Sequence, residues 1–198
     1  MSTRVRMTGT QRREQLLDVG RSLFAERGYD GTAVEEIAAR AEVSKPVVYE
    51  HFGGKEGLYA VVVDREVSRL MGMFAEALSA QSPRLLLEQA CLVLLTYIED
   101  CPDGFRILVT ESPVGGFATI MSDVASQVEH ILVREFTARG LDPALAPIYS
   151  QALVGMVSLP GQWWQDHRAP DRGEVAAHLV NLAWNGLRGL EQVPTLSA

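Results

Sequence analysis

The sequence predicts an all-α protein, in which three short N-terminal helices precede a larger helical bundle. Apolar residues recur at helical spacing along most of the 198 residues, and no segment alternates apolar and polar residues as a half-buried strand would. Seven prolines between residues 83 and 170 divide the later part of the chain into further helices. We expect the first module to span residues 1–54 and the bundle to span residues 55–198.

The composition excludes several classes of protein. Hydrophobic residues make up 47% of the chain and charged residues 22%, which is typical of a folded protein rather than a disordered one. Cys91 and Cys101 stand in no CxxC or Cys/His cluster, so we expect no metal and no cofactor. The first 13 residues carry arginines but no apolar run behind them, and we therefore expect a cytoplasmic protein.

Charge is distributed unevenly along the chain. Residues 1–55 hold nine Lys/Arg against eight acidic residues, whereas residues 56–198 hold nine against seventeen. Arg4, Arg6, Arg12 and Arg13 precede any acidic residue. They form either a basic arm for a polyanion or a solvated, frayed terminus.

The first two helices have recognisable start and stop signals. Apolar residues over 10–27 fall at helical spacing, and Gly28 follows as a stop signal. Thr32 with Glu35 three positions later is typical of a capping box and predicts the start of helix two. This helix is short and ends near Ala41.

A third helix follows after about three residues, with Glu42 at the centre of the turn. Ser44 is a favourable N-cap, and Gly53-Gly54 ends the helix. This spacing predicts a helix-turn-helix whose third helix enters the major groove of DNA. The alternative is a plain helical corner in which Tyr49 and Phe52 belong to the core.

The same region resembles the TetR family of bacterial transcriptional regulators over about 45 residues. That resemblance implies an all-α homodimer that binds an inverted-repeat operator in double-stranded DNA, represses transcription and responds to a small effector bound in the bundle. The residues that carry it are Leu23-Phe24-Ala25-Glu26-Arg27-Gly28-Tyr29, Glu36-Ile37-Ala38, Ala41-Glu42-Val43-Ser44-Lys45 and Val48-Tyr49-Glu50-His51-Phe52-Gly53-Gly54-Lys55.

The resemblance also implies a set of DNA contacts. Lys45, Pro46 and Val47 match the base-facing start of the recognition helix, behind the N-cap Ser44. The chemistry of these side chains is consistent with base contacts, because a lysine can donate to guanine O6/N7 and a valine can contact the thymine methyl group. The positions that match phosphate contacts are Thr32, Tyr49, His51 and Lys55.

Two residues depart from the family pattern. Glu42 stands where the family often has glycine, so a positive φ there would cost about 1–2 kcal/mol. Glu50 places a carboxylate on the DNA-facing helix. This carboxylate must pair with Arg or Lys, accept a hydrogen bond from cytosine N4, or repel the phosphates of DNA. The operator sequence therefore cannot be read from these residues.

Two long stretches in the bundle carry no charge. Residues 143–165 hold three prolines together with Gln151 and Gln162, which argues against a membrane span and favours a buried helix. Residues 175–187 are also free of charge. Either both helices are internal to a monomer, or a homodimer covers them as the TetR pattern implies. The predicted interface residues are Leu153, Val157, Trp164, His178, Leu182 and Asn185.

Aromatic side chains in the bundle suggest an apolar effector, either a long acyl chain or a drug-like aromatic compound. Segments around Phe105, Val154 and Trp184 are similar to actinobacterial TetR-type regulators of fatty-acid synthesis, which respond to acyl-CoA. Arg106 would then lie near the anionic end of the ligand. The predicted pocket residues are Tyr97, Phe105, Arg106, Phe117, Gln151 and Trp163.

Two other classes of protein compete with a DNA-binding regulator. The sequence contains no HExxH, no GxSxG, no P-loop and no dinucleotide fingerprint, so we assign no catalytic residue. A helical interaction protein without DNA affinity is the other alternative, since Glu50 and the net charge of −7 oppose contact with phosphates. DNA binding with a steep salt dependence would separate a regulator from both.

Overall fold

The computed structural model describes residues 7–77, 82–110, 117–192 and 194. Within these ranges every regular element is helical, as predicted. The helices are α1 (Gly9–Arg27), α2 (Val34–Arg40), α3 (Lys45–Phe52), α4 (Lys55–Ala77), α5 (Pro83–Asp100), α6 (Pro102–Val109), α7 (Phe117–Arg139), a 3-10 turn (Pro143–Leu145), α8 (Ala146–His167) and α9 (Arg172–Arg188). In this part of the chain no helix has the length and apolarity needed to cross a membrane.

The chain folds into two compact units. The first contains the described residues up to Arg69 together with those of 103–110, and the second contains the described residues of 70–102 and those from Phe117 onward. Helix α4 therefore contributes its first part to one unit and its last part to the other. The predicted N-terminal module lies within the first unit, and a functional boundary after residue 54 stays a prediction.

The first unit is built around apolar side chains of α1, α2 and α4. Leu16, Leu23 and Ile37 are fully buried. Phe24 meets the ring of Tyr59 edge-on with 4.8 Å between ring centroids. Val48 on α3 is also fully buried, so the inner side of this short helix is fixed to the core while its other side remains available.

Glycine ends α1 and α3, as the sequence predicts. Gly28 and Gly53 adopt φ values of 72° and 73°, which lie in the region where a side chain is unfavourable. The predicted capping box at the start of α2 is wrong. Ala33 is the N-cap, and the hydroxyl of Thr32 instead donates backward to the carbonyl of Gly28 at 2.8 Å.

The second unit packs α5 against α8 and α9, and α7 against α8. Helix α8 continues through Pro160. One side of α8 is not covered within the single chain, because Ile148 and Leu159 are largely exposed. The alternative in which this helix is wholly internal to a monomer therefore does not apply.

Candidate functional site

The turn between α2 and α3 has the predicted helix-turn-helix form. Glu42 takes φ 53°, the left-handed conformation that glycine adopts most easily. The amide of Val43 donates to the carbonyl of Ala38 at 2.9 Å, which closes the end of α2. The turn therefore contains a backbone conformation that costs about 1–2 kcal/mol for a residue with a side chain.

Helix α3 presents one side to the core and the other to solvent. Val48 is buried, while Lys45, Pro46 and Glu50 are exposed and Val47 is half-buried. Tyr49 is 54% exposed, so it is not part of a core. The alternative interpretation of this segment, a plain helical corner with Tyr49 in the core, therefore does not apply. The solvent side thus displays one cation, one phenol and one carboxylate.

Lys45 is already paired within the chain. Its ammonium donates to the carboxylate of Glu35 on the first turn of α2. This hydrogen bond is the main reason that the pKa of the Glu35 carboxyl lies below its usual range. Both side chains are about half exposed, so water and DNA can both reach the pair. Sequence spacing gives no signal for it, because the partners lie on different helices.

Lys55 has a different environment from the one predicted for a phosphate contact. Its ammonium donates to the backbone carbonyl of Tyr29 at 2.9 Å and lies 4.2 Å from the centroid of the Tyr29 ring. A charge-assisted hydrogen bond and a cation–π contact together hold this ammonium against Tyr29, while the side chain stays partly exposed. Lys55 therefore connects the start of α4 to the segment that follows α1.

Arg13 fixes the end of α3, a role that the sequence reasoning missed. Its guanidinium donates to the carbonyl of His51 at 2.9 Å and lies 4.4 Å from the centroid of the Phe52 ring. An arginine near the C-terminus of a helix satisfies a carbonyl that has no partner within that helix. His51 itself is half-buried beside Phe52.

Thr32 and Ser44 differ in what they offer to a ligand. Thr32 is buried, and its hydroxyl bonds to the carbonyls of Gly28 and Leu23. Its side chain therefore stabilises the segment between α1 and α2 and is not displayed. Ser44 is exposed and is the N-cap of α3, as predicted, but its side chain makes no capping hydrogen bond.

Every cation between residues 7 and 55 has a partner inside the chain. The described pairs are Arg12 with Gln15, Arg13 with the carbonyl of His51, Arg21 with Asp18 and Glu66, Arg27 with Glu36, Arg40 with Glu26, Lys45 with Glu35, and Lys55 with the carbonyl of Tyr29. Arg4 and Arg6 lie outside the described residues. A polyanion that binds here must compete with these internal partners or share their cations.

The second unit contains a cavity of about 350 Å³. This size lies within the range of small-molecule sites. Its lining is almost entirely apolar and comes from α4, α5, α7, α8 and α9. The lining residues are Met71, Phe74, Pro83, Leu86, Leu87, Ala90, Leu94, Met121, Val124, Gln127, Val128, Ile131, Leu132, Glu135, Leu153, Val154, Val157, Trp184 and Leu187.

Of the predicted pocket residues, Tyr97, Phe105, Arg106, Gln151 and Trp163 do not line this cavity, and a ligand contact by any of them stays a prediction. Tyr97 and Phe105 are fully buried in the two different units. Arg106 and Gln151 are exposed, and Trp163 stacks on His167. The side chain of Phe117 lies outside the described residues. Aromatic content was a poor guide because large aromatic residues fill cores, whereas the cavity is lined mainly by aliphatic side chains.

The predicted interface residues fall into three groups. His178, Leu182 and Asn185 lie on the exposed side of α9, and Leu182 is 62% exposed. Leu153 and Val157 are half-buried and line the cavity. Trp164 is 1% exposed, and its indole N–H donates to the carbonyl of Pro170 at 2.7 Å. Trp164 is therefore a core residue whose side chain is unavailable to a partner.

Comparisons with known proteins agree with this architecture. Residues 16–62 match the model for "Bacterial regulatory proteins, tetR family". The chain is 30% identical over 189 residues to the HTH-type transcriptional activator FasR of Mycolicibacterium smegmatis, covering 92% of this chain and 85% of that protein. It is 31% identical over 133 residues to the HTH-type transcriptional repressor DhaR of Mycobacterium sp. strain GP1, covering 66% of this chain and 62% of that protein.

Solved structures show the same fold. The crystal structure of a TetR-like transcriptional regulator from Rhodococcus sp. RHA1 superposes with a TM-score of 0.79 at 26% identity, and the match covers 93% of this chain and all of that one. A TetR-family transcriptional regulator from Bordetella parapertussis has a TM-score of 0.73 at 20% identity over 94% of this chain and 98% of that one.

Proposed function

The chain belongs to the TetR family of DNA-binding transcriptional regulators, and on that premise we propose that it binds an inverted-repeat operator as a homodimer under the control of an apolar effector. Members of this family are regulators rather than enzymes and typically act as dimers. A protein that binds the bacterial chromosome works in the cytoplasm, which is where we place it.

The observation that carries the proposal is the two-sided character of α3. Val48 anchors the helix to the core while Tyr49 on the next position is 54% exposed. A short helix whose inner side is packed on the core and whose N-terminal residues are exposed is suited to insertion into a major groove. Lys45 and Val47 at that end would read base edges, since phosphate contacts position a protein and base contacts specify its site.

The structure changes our assignment of the phosphate contacts. Tyr49 and His51 remain in the proposed set, together with the hydroxyl of Ser44 at the exposed start of α3, while Pro46 stays with Lys45 and Val47 among the proposed base-facing residues. Thr32 and Lys55 leave it, because the hydroxyl of one and the ammonium of the other bond to backbone carbonyls. We propose that these two residues position the recognition helix instead.

We propose that the dimer interface consists of the exposed sides of α8 and α9. Ile148 and Leu159 on α8 and Leu182 on α9 are large apolar side chains that a single chain leaves in water. His178 and Asn185 lie on the same α9 and are also exposed. Covering such a surface removes apolar area from water, which is the main driving force for association.

We propose that an apolar effector occupies the cavity in the second unit. Helix α4 begins at Lys55 and also contributes Met71 and Phe74 to the cavity lining. An occupant that favours one position of this helix changes DNA affinity by biasing two conformations. Arg106, the anchor expected for an acyl-CoA, is exposed and does not line the cavity.

We propose repression as the direction of control. A dimer seated on a promoter excludes polymerase without needing any contact with it, whereas activation requires a further surface. Similar proteins include an activator, FasR, and a repressor, DhaR. A reporter gene behind the selected operator, with and without the protein, decides the direction.

Fluorescence anisotropy tests the DNA-binding part of the proposal. Operator fragments enriched from genomic DNA are compared with scrambled fragments of equal length over a range of salt concentrations. We expect specific binding whose affinity falls steeply with salt. Tyr49→Ala should weaken binding to both fragments by a similar factor, with Tyr49→Phe as the matched control that keeps the ring. An adaptor without DNA affinity would show no enriched fragment.

A further inference from the structure

The cavity in the second unit has an asymmetric lining. Of the described residues around it, Glu135 is the one with a charge, and Gln127 is the one other polar residue. Both are on α7, whereas the lining from α4, α5, α8 and α9 is apolar. The cavity thus combines a large apolar wall with a single carboxylate supplied from one side.

Glu135 is half-buried and makes no hydrogen bond or ion pair with the described part of the chain. Among the other half-buried acidic residues of the second unit, Glu88 accepts from Arg84 at 3.0 Å, whereas Glu129 has no partner in the described part of the chain. Glu135 differs from Glu129 because it lines the cavity. A carboxylate that is partly withdrawn from water is unfavourable unless a cation or hydrogen-bond donor compensates it.

The described residues that line the cavity supply no such cation, since none of them is Lys or Arg. Residues 78–81 and 111–116 contain neither residue in the sequence. Arg139, one turn after Glu135 on α7, donates to the backbone carbonyls of Leu187 and Arg188 instead. An occupant with a positive charge would therefore give Glu135 the partner that the described lining does not supply.

We propose that the cavity binds an apolar molecule with a protonated amine at one end, and that Glu135 binds this amine. The inference rests on the proposed function, which places the effector in the cavity, and adds its chemical class. Charge-assisted hydrogen bonds between an ammonium and a carboxylate are roughly twice as strong as neutral ones. A carboxylate or phosphate at the same place would meet a like charge.

Calorimetry on the protein tests the proposal with three probes that have the same alkyl chain length and differ in their polar end group. Decylamine, 1-decanol and decanoate are titrated at pH 7, each below its micellar concentration. We expect decylamine to bind about tenfold or more tightly than decanoate, with decanol between them. Glu135→Gln should weaken decylamine binding by about tenfold and leave decanol unchanged.

Glu129→Gln is the matched control, because Glu129 is half-buried on the same helix but does not line the cavity. It should leave the binding of all three probes unchanged. Decanoate binding as tight as decylamine binding overturns the inference while leaving the cavity as the effector site. If none of the three probes binds, the effector part of the proposed function fails as well. The comparison of the three probes uses the protein without substitutions, so its result does not depend on whether a variant folds.

Discussion

Replacing Lys55 by methionine separates a structural role for this residue from a DNA contact. The substitution keeps the length of the side chain and removes the ammonium, which donates to the Tyr29 carbonyl at 2.9 Å and lies 4.2 Å from the Tyr29 ring centroid. A hydrogen bond from a charged donor contributes about 1.5–3 kcal/mol, and a partly exposed cation–π contact adds about 0.5–1 kcal/mol.

We expect Lys55→Met to lower the free energy of unfolding by about 2 kcal/mol, taking the lower end of these ranges because Lys55 is partly exposed. For a chain of this size the loss corresponds to a fall in Tm of roughly 4–8 °C. Urea denaturation at a fixed protomer concentration measures it, since dimer formation makes apparent stability depend on concentration. Lys55→Arg, which keeps a cation and its donors, is the control.

The same variant is then titrated with operator DNA over a range of salt concentrations. Because the ammonium already has the Tyr29 carbonyl and ring as partners, the slope of log affinity against log salt should remain unchanged. A phosphate contact would instead reduce the slope by about 0.9 for each protomer bound, or about 1.8 for a dimer. Unchanged stability together with a reduced slope would refute our reasoning and restore Lys55 to the phosphate-contacting set.

Four further outcomes follow from the same structure. Glu35→Gln should raise affinity for scrambled DNA by about 3- to 10-fold, because it frees Lys45 and removes a negative charge; equal affinities by anisotropy would contradict this. Leu182→Glu should give monomers in sedimentation, since a partner would otherwise bury an unpaired carboxylate, and an intact dimer would place the interface elsewhere. Glu42→Gly should have a free energy of unfolding about 0.5–1 kcal/mol higher than that of Glu42→Ala in urea titrations, because both variants remove the side chain but only glycine relieves the left-handed conformation, at a smaller entropic cost; equal values would count against strain at φ 53°. Burial raises the pKa of the Cys91 thiol to about 12, so this cysteine should resist iodoacetamide at pH 8 until the protein is unfolded, and rapid labelling of the native protein would show that it is accessible.

Helix boundaries were predictable where a single residue fixes the backbone. Gly28 and Gly53 end their helices because each adopts a positive φ, and a glycine is visible in the sequence. The start of α2 was not predictable in this way. The hydroxyl of Thr32 can cap a helix or reach back to the carbonyl of Gly28, and only the path of the chain after α1 decides between them.

The recognition helix could be placed from sequence, but the partners of its cations could not. The N-cap Ser44 could be read from local signals, because a cap depends on neighbours within one turn, whereas the exposed side of Tyr49 came from the resemblance to the TetR family. The Lys45–Glu35 pair joins two helices across a turn, and the contact of Lys55 with Tyr29 spans 26 positions. Contacts of this kind depend on how helices cross, which periodicity does not specify.

The cavity was the least predictable feature of the chain. Leu153 and Val157 were expected at the dimer interface because their segment carries no charge, yet they line the cavity. An apolar helix can be covered by a partner, by its own core or by a ligand. Composition does not distinguish these, because all three bury the same kind of surface.

Selection of bound fragments from genomic DNA by the full-length protein tests the central claim that α3 reads an operator. We expect an enriched inverted repeat with half-sites about one helical turn apart or a small multiple of it, and Lys45→Ala should change the preferred base within each half-site whereas Tyr49→Ala should weaken binding uniformly. Selection that yields no common sequence, or a Lys45→Ala protein that enriches the same repeat with unchanged base preference, would contradict the assignment of α3 as the recognition helix.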